Sequence, residues 1–157
     1  MANAKILEGK KVLIVDDEPD VLEALEETLE MCEIDTSTEY EKANQLLNSK
    51  SYDLAVLDIM GVNGYDLLAV ADRKGIPAVM LTAHALSANN FAKSMDEGAC
   101  AYLPKDRLFE IDVFLTDVLE DGGKNIGLLG KWFDRLKGYY DNKFGPGWLD
   151  EYKGAWH

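Results

Sequence analysis

Three aspartates, a threonine and a lysine stand where apolar runs of the sequence stop. Asp16-Asp17 follows Val12-Leu13-Ile14-Val15, Asp58 follows Leu54-Ala55-Val56-Leu57, Thr82 follows Ala78-Val79-Met80-Leu81, and Lys105 comes shortly after the run Ala99 to Leu103. Carboxylates gathered at one edge repel each other unless a cation sits among them, and hard oxygen donors with room for water suit Mg2+. An ammonium and a hydroxyl turned toward the same cation suit a phosphoryl group, whose charge is spread over three oxygens. One carboxylate would then be the acceptor. Taken singly, each residue has a plainer reading: Asp16-Asp17-Glu18-Pro19 as a helix cap favoured by the macrodipole, Asp58 as a loop carboxylate, Thr82 as a turn residue, Lys105 as a solvated lysine. Their joint placement, one group per run in chain order, argues for a site.

The elements that must position these groups are legible as an alternation of short apolar runs with stretches of helical period. Strands are expected at Val12–Val15, Ile34–Thr38, Leu54–Leu57, Ala78–Leu81 and Ala99–Leu103. Between and after them lie helical patterns carried by Val21, Leu22, Leu25 and Leu29, by Ala43, Leu46 and Leu47, and by Leu67, Leu68, Val70 and Ala71, with a polar helix over Ser87–Glu97. A fifth amphipathic helix is carried by Leu108, Ile111, Phe114, Leu115, Val118 and Leu119. Continuous apolar strands in βα units imply a parallel sheet covered on both faces, and function in such sheets collects at the carboxyl ends of the strands.

Charge narrows the partners. Residues 1–120 carry 10 basic and 24 acidic side chains, whereas 121–157 carry 6 and 5. The acidic body disfavours nucleic acid, whose binding rests on neutralising phosphates, and favours a cation or a basic partner. Cys32 and Cys100 have no metal-ligand or paired spacing and read as buried thiols in a reducing compartment. No leader and no apolar run of spanning length is present, so a cytoplasmic protein without membrane contact is expected.

VLIVDDEPD at 12–20, LAVLDIM at 54–60, VMLTA at 79–83 and AYLPK at 101–105 resemble, in that order, the motifs of the receiver domain of two-component response regulators, over about residues 9–120. The resemblance implies an α/β, flavodoxin-like fold, a doubly wound five-stranded parallel sheet in the order 2-1-3-4-5, with Mg2+ as cofactor. It implies Asp58 as phosphoacceptor, and Asp16, Asp17 and Asp58 with the backbone carbonyl of Met60 as metal ligands. Lys105 and Thr82 would contact the phosphoryl oxygens, and Tyr102 would be the aromatic switch. Met60 and His84, two positions after the acceptor and the threonine, would flank the approach of water, with His84 modulating access. A sensor histidine kinase or histidine phosphotransfer protein would donate the phosphoryl, and the face about Ser87–Glu120 would signal to a downstream protein or a second copy. The protein would then be a self-modifying switch and not a turnover enzyme. Two departures stand out: Asp58-Ile59-Met60-Gly61-Val62-Asn63-Gly64 is two residues shorter than usual and lacks the family's proline, and Asp106 follows Lys105 where the family commonly has a proline in a cis arrangement.

Other readings compete. A receiver-like binding module would have lost phosphorylation through its altered loops. A Mg2+-dependent phosphohydrolase would need an acid/base carboxylate two residues after Asp58, where Met60 stands.

After Asp121-Gly122-Gly123 the texture changes, dividing the chain into an expected receiver domain at 1–122 and an aromatic-rich helical extension at 123–157. Leu129, Trp132, Phe133, Leu136 and Tyr140 fall at the spacing of one helical face, and Trp148, Tyr152 and Trp156 repeat at four. Burying such a stripe yields on the order of 1.5–3 kcal/mol per large side chain, so it is expected to be covered, either by docking back on the receiver or by pairing with a partner. The extension is too short for a common DNA-binding output domain, which leaves protein contact as the expected output.

Overall fold

The computed structural model describes residues 4–150. Its elements are a 3-10 turn at Ala4–Leu7, β1 (Lys11–Val15), α1 (Pro19–Thr28), β2 (Glu33–Ser37), α2 (Tyr40–Ser49), β3 (Leu54–Asp58), α3 (Gly64–Lys74), β4 (Ala78–Thr82), α4 (Ala88–Asp96), β5 (Ala101–Pro104), α5 (Ile111–Glu120) and α6 (Lys131–Phe144). The five strands form one parallel sheet in the order β2-β1-β3-β4-β5. This is the flavodoxin-like arrangement expected for the chain.

The central strands are apolar throughout because helices cover both faces of the sheet: every residue of β3 and β4 is buried. The register aligns Val15 with Leu57, Asp58 with Leu81 and Thr82 with Pro104, so the strand ends that carry polar groups finish side by side. Edges differ from the expected ones in physically interpretable ways. β5 begins at Ala101 and runs on through Pro104, which the ladder tolerates because β5 is an edge strand. The fifth helix was expected to take in Leu108, yet Lys105–Glu110 forms a 3-10 segment with non-helical backbone at Arg107, and α5 begins at Ile111.

The C-terminal segment docks back on the rest of the fold. Trp132, Phe133, Leu136, Tyr140 and Trp148 are buried and belong to the same apolar core as the sheet. Leu129 is a correction to the expected stripe: it lies in a 3-10 turn at Gly127–Leu129, 84% exposed, because Gly130 is extended and α6 starts only at Lys131. Tyr152 and Trp156 lie outside the described residues. Cys100 is buried as expected, whereas Cys32 is half-buried with its thiol against the carbonyl of Leu7, 3.4 Å away. Among the described residues no helix is long and apolar enough to cross a membrane.

Candidate functional site at the strand ends

Asp16 and Asp17 follow β1 directly, Asp58 and Thr82 are the last residues of β3 and β4, and Lys105 follows β5. The twofold alternation of strands and the common register thus place five chemically capable side chains along one rim of the sheet. Lys105 Nζ lies 2.8 Å from Asp16 Oδ2, 3.3 Å from Asp58 Oδ1 and 2.9 Å from Glu18 Oε1. The Lys105 side chain is 8% exposed, Asp16 is 0% and Asp58 is 4%. One buried lysine therefore faces three carboxylates, with Asp17 as a fourth nearby.

The electrostatics follow from that count. Burial, reinforced by the charge of Asp16 and opposed by Lys105, pushes Asp58 up to about 7. Burial also raises Asp16, while its bonds from Lys105 and from the Glu18 backbone N–H work against the rise. Lys105 goes the other way: hydrogen bonds and charge from Asp16, Glu18 and Asp58 outweigh its desolvation and hold it protonated. The same ammonium lowers the exposed Glu18, with a smaller contribution from His84.

These residues fit a divalent cation. Asp16, Asp17 and Glu18 offer carboxylate oxygens that all lie within 4.8 Å of one another. Asp16 Oδ2 is buried against the Lys105 ammonium, 2.8 Å away. Four carboxylates against one lysine leave net negative charge in a partly desolvated place, which a hard cation relieves. Nor do the carboxylates serve as helix caps. Glu18 occupies the cap of α1 without a side-chain cap bond, Pro19 takes the first turn, and Asp16 Oδ1 accepts from the backbone N–H of Glu18 at 2.9 Å.

The short loop after Asp58 is closed by tight backbone packing. Gly64 opens α3, and a Cβ there would run into the carbonyl oxygen of Asp58 and the backbone of Ile59. Gly61 sits at φ +86, where a side chain would meet the Asp17 carboxylate, and Asn63 takes a left-handed conformation at φ 53. Met60 stands on this loop, 54% exposed.

Thr82 is brought to the same rim, buried, with its hydroxyl accepting from the backbone N–H of Ala85 at 2.8 Å. Tyr102 is fully buried, donates to the Ala85 carbonyl at 2.7 Å and accepts from Ser87 N at 3.1 Å. His84 lies exposed on that loop. The Lys105–Asp106 peptide is trans, and Lys105 opens the 3-10 segment. Glu18 is the member of the cluster that sequence reasoning missed: with Pro19 after it, it read as part of a cap, although the i, i+2 spacing from Asp16 was the available signal.

Residues 12–117 match the response regulator receiver domain family. The chain is 36% identical over 103 residues to the two-component response regulator ARR18 of Arabidopsis thaliana, covering 62% of this chain and 16% of that protein. It is 33% identical over 102 residues to the response regulator protein PilR of Pseudomonas aeruginosa, covering 61% of this chain and 23% of that protein. It thus spans less than a quarter of the length of either relative. Among solved structures, a CheY-like response regulator receiver domain protein from Methanospirillum hungatei superposes with a TM-score of 0.60 at 27% identity, covering 73% of this chain and all of that one. With its sheet order, its acidic rim and these matches, the chain belongs to the response regulator receiver domain family of two-component systems.

Proposed function

We propose that the chain is a phosphorylation-activated switch in which Asp58 accepts a phosphoryl group from a histidine kinase or histidine phosphotransfer protein. The observation that carries this reading is the single buried Lys105 shared between Asp16 and Asp58, with Asp58 pushed up to about 7. A carboxylate with a raised pKa is the better nucleophile once it is deprotonated. In the transfer, an Asp58 carboxylate oxygen forms the bond to phosphorus as the bond from phosphorus to the donor imidazole nitrogen breaks and its electron pair stays on that nitrogen.

Asp16, Asp17, Asp58 and the Met60 backbone carbonyl would hold Mg2+, with Glu18 in the same acidic cluster as Asp16 and Asp17. The cation supplies charge neutralisation for the transferring oxygens. Lys105 contacts one of those oxygens and Thr82 donates its hydroxyl to another, leaving its turn with Ala85. Tyr102 follows Thr82 through their shared contact with Ala85. The chain acts on itself and does not turn over a substrate. Residues 1–122 form the switch and 123–157 its extension, the protein works in the cytoplasm where both cysteines stay reduced, and output runs through protein contact. Incubation with acetyl phosphate and Mg2+ tests the reading: the wild type is expected to gain one phosphoryl group, Asp58→Asn none, and Lys105→Met far less. Equal labelling of all three overturns it.

A further inference from the structure

α6 and Trp148 after it pack on the face that carries Tyr102. The Phe91 ring of α4 meets Tyr102 at 5.4 Å between centroids, Tyr140 at 5.4 Å and Trp148 at 5.1 Å, and Tyr140 lies 5.9 Å from Tyr102. Polar ties run along the same contact. Tyr140 Oη donates to the backbone carbonyl of Tyr102. Tyr139 Oη donates to Asp106 at 2.6 Å, the residue next to Lys105. Arg135 donates twice, at 2.6 and 3.2 Å, to the buried Asp117 of α5. The segment therefore touches Tyr102 and the neighbour of Lys105 at once.

From Tyr102 the contact continues into the site. Its hydroxyl holds Ala85 and Ser87, and Ala85 N in turn holds the Thr82 hydroxyl. Phe91 and Tyr140 thus pack against the ring whose hydroxyl bonds the 82–87 turn.

We propose that residues 131–148 are an intramolecular clamp on the phosphoryl site, which by holding Tyr102 and the 82–87 turn opposes the movement of Thr82 toward a phosphoryl group on Asp58 and is itself loosened when that group arrives. The proposal rests on Asp58 as the acceptor. Coupling of this kind is reciprocal: whatever the docked segment costs the occupied site, occupation of the site costs the docking. The segment is the occupant of this face, so a downstream protein or a second copy gains access to it only as the clamp loosens.

The sequence supplies its own probe, because no tryptophan precedes Trp132. In the full chain, beryllofluoride with Mg2+ is titrated while tryptophan emission and acrylamide quenching are followed, for the wild type and for Arg135→Gln/Tyr139→Phe/Tyr140→Phe, which cuts the polar ties and leaves the aromatic cluster filled. The wild type is expected to show a red shift and greater quenching on binding, and the triple variant to bind at least about five-fold more tightly. Tyr139→Phe alone, which gives up one bond to the exposed Asp106, is expected to shift affinity in the same direction and stands in if the triple variant does not fold. Unchanged quenching with equal affinities, or weaker binding by the variants, overturns the clamp. No binding by any of them, together with no labelling of the wild type by acetyl phosphate, overturns the acceptor reading and the clamp with it.

Discussion

At the ends of β1 and β3, Asp16 and Asp58 are both buried and share one lysine, so the rim carries more negative charge than it can neutralise. The aromatic side under α6 is the reverse: Trp132, Phe133, Leu136 and Tyr140 are buried, and the Asp117 carboxylate there has both oxygens bonded by the Arg135 guanidinium. The first region gives up stability to hold a group ready for a ligand. The second contributes stability and asks for none. Both are polar or aromatic anomalies in the sequence, and what separates them is charge balance: at the rim Asp16, Glu18 and Asp58 share one lysine, whereas under α6 Asp117 has a guanidinium to itself.

The largest effect should come from the aromatic region. Trp132→Ala removes a fully buried ring and is expected to cost about 3–5 kcal/mol in urea unfolding. A cost near zero would mean that α6 is not part of the core. Gly64→Ala sits at the rim but acts on backbone: its methyl meets the Asp58 carbonyl, so a loss of about 2–3 kcal/mol and a weakened Mg2+ affinity are expected together, read by melts with and without metal. Stability lost with metal affinity unchanged would separate the loop from the site. Arg135→Ala leaves the buried Asp117 carboxylate without its guanidinium and should cost about 1–3 kcal/mol.

The rim should respond with the opposite sign. Asp58→Asn is expected to stabilise the metal-free protein by about 0.5–2 kcal/mol near pH 8. The pH dependence identifies the cause. The folded-state value of Asp58, raised to about 7, means that between about pH 4 and pH 7 the folded chain keeps a proton the unfolded chain has released. Metal-free stability should therefore fall as pH rises through that window, and this part of the fall should vanish in Asp58→Asn. Identical pH profiles would show that the carboxylate is not strained. The smallest expected effect concerns Met60, which is apolar and cannot orient water on the exposed loop beside Asp58: Met60→Asn should speed dephosphorylation several-fold, and an unchanged half-life would remove the shielding role.

The same contrast explains what could be read from sequence. Asp16, Asp58, Thr82 and Lys105 end or follow continuous apolar runs, and a parallel sheet converts strand ends into neighbours by register alone, so their meeting was legible. Glu18 was not, because its role depends on a lysine 87 positions away reaching back across the rim. The stripe of Trp132, Phe133, Leu136 and Tyr140 was legible as a buried face, but not what buries it: Phe91 looked like an ordinary residue of a polar helix. Leu129 failed because spacing alone ignores that Gly130 takes an extended conformation and delays the helix by two residues. The pairs Arg135–Asp117 and Tyr139–Asp106 carried no local signal, since each joins elements that only docking brings together.

The account stands most directly on which atom carries the phosphoryl group. Labelling the wild type with acetyl phosphate and Mg2+, reducing the acyl phosphate with borohydride and locating the resulting alcohol by peptide mass answers it. The expected result is a single homoserine at position 58. Reduction at Asp16, Asp17 or Glu18, or no reducible acyl phosphate in a labelled protein, would contradict the assignment of Asp58 as acceptor and of its acidic neighbours as the holders of the cation.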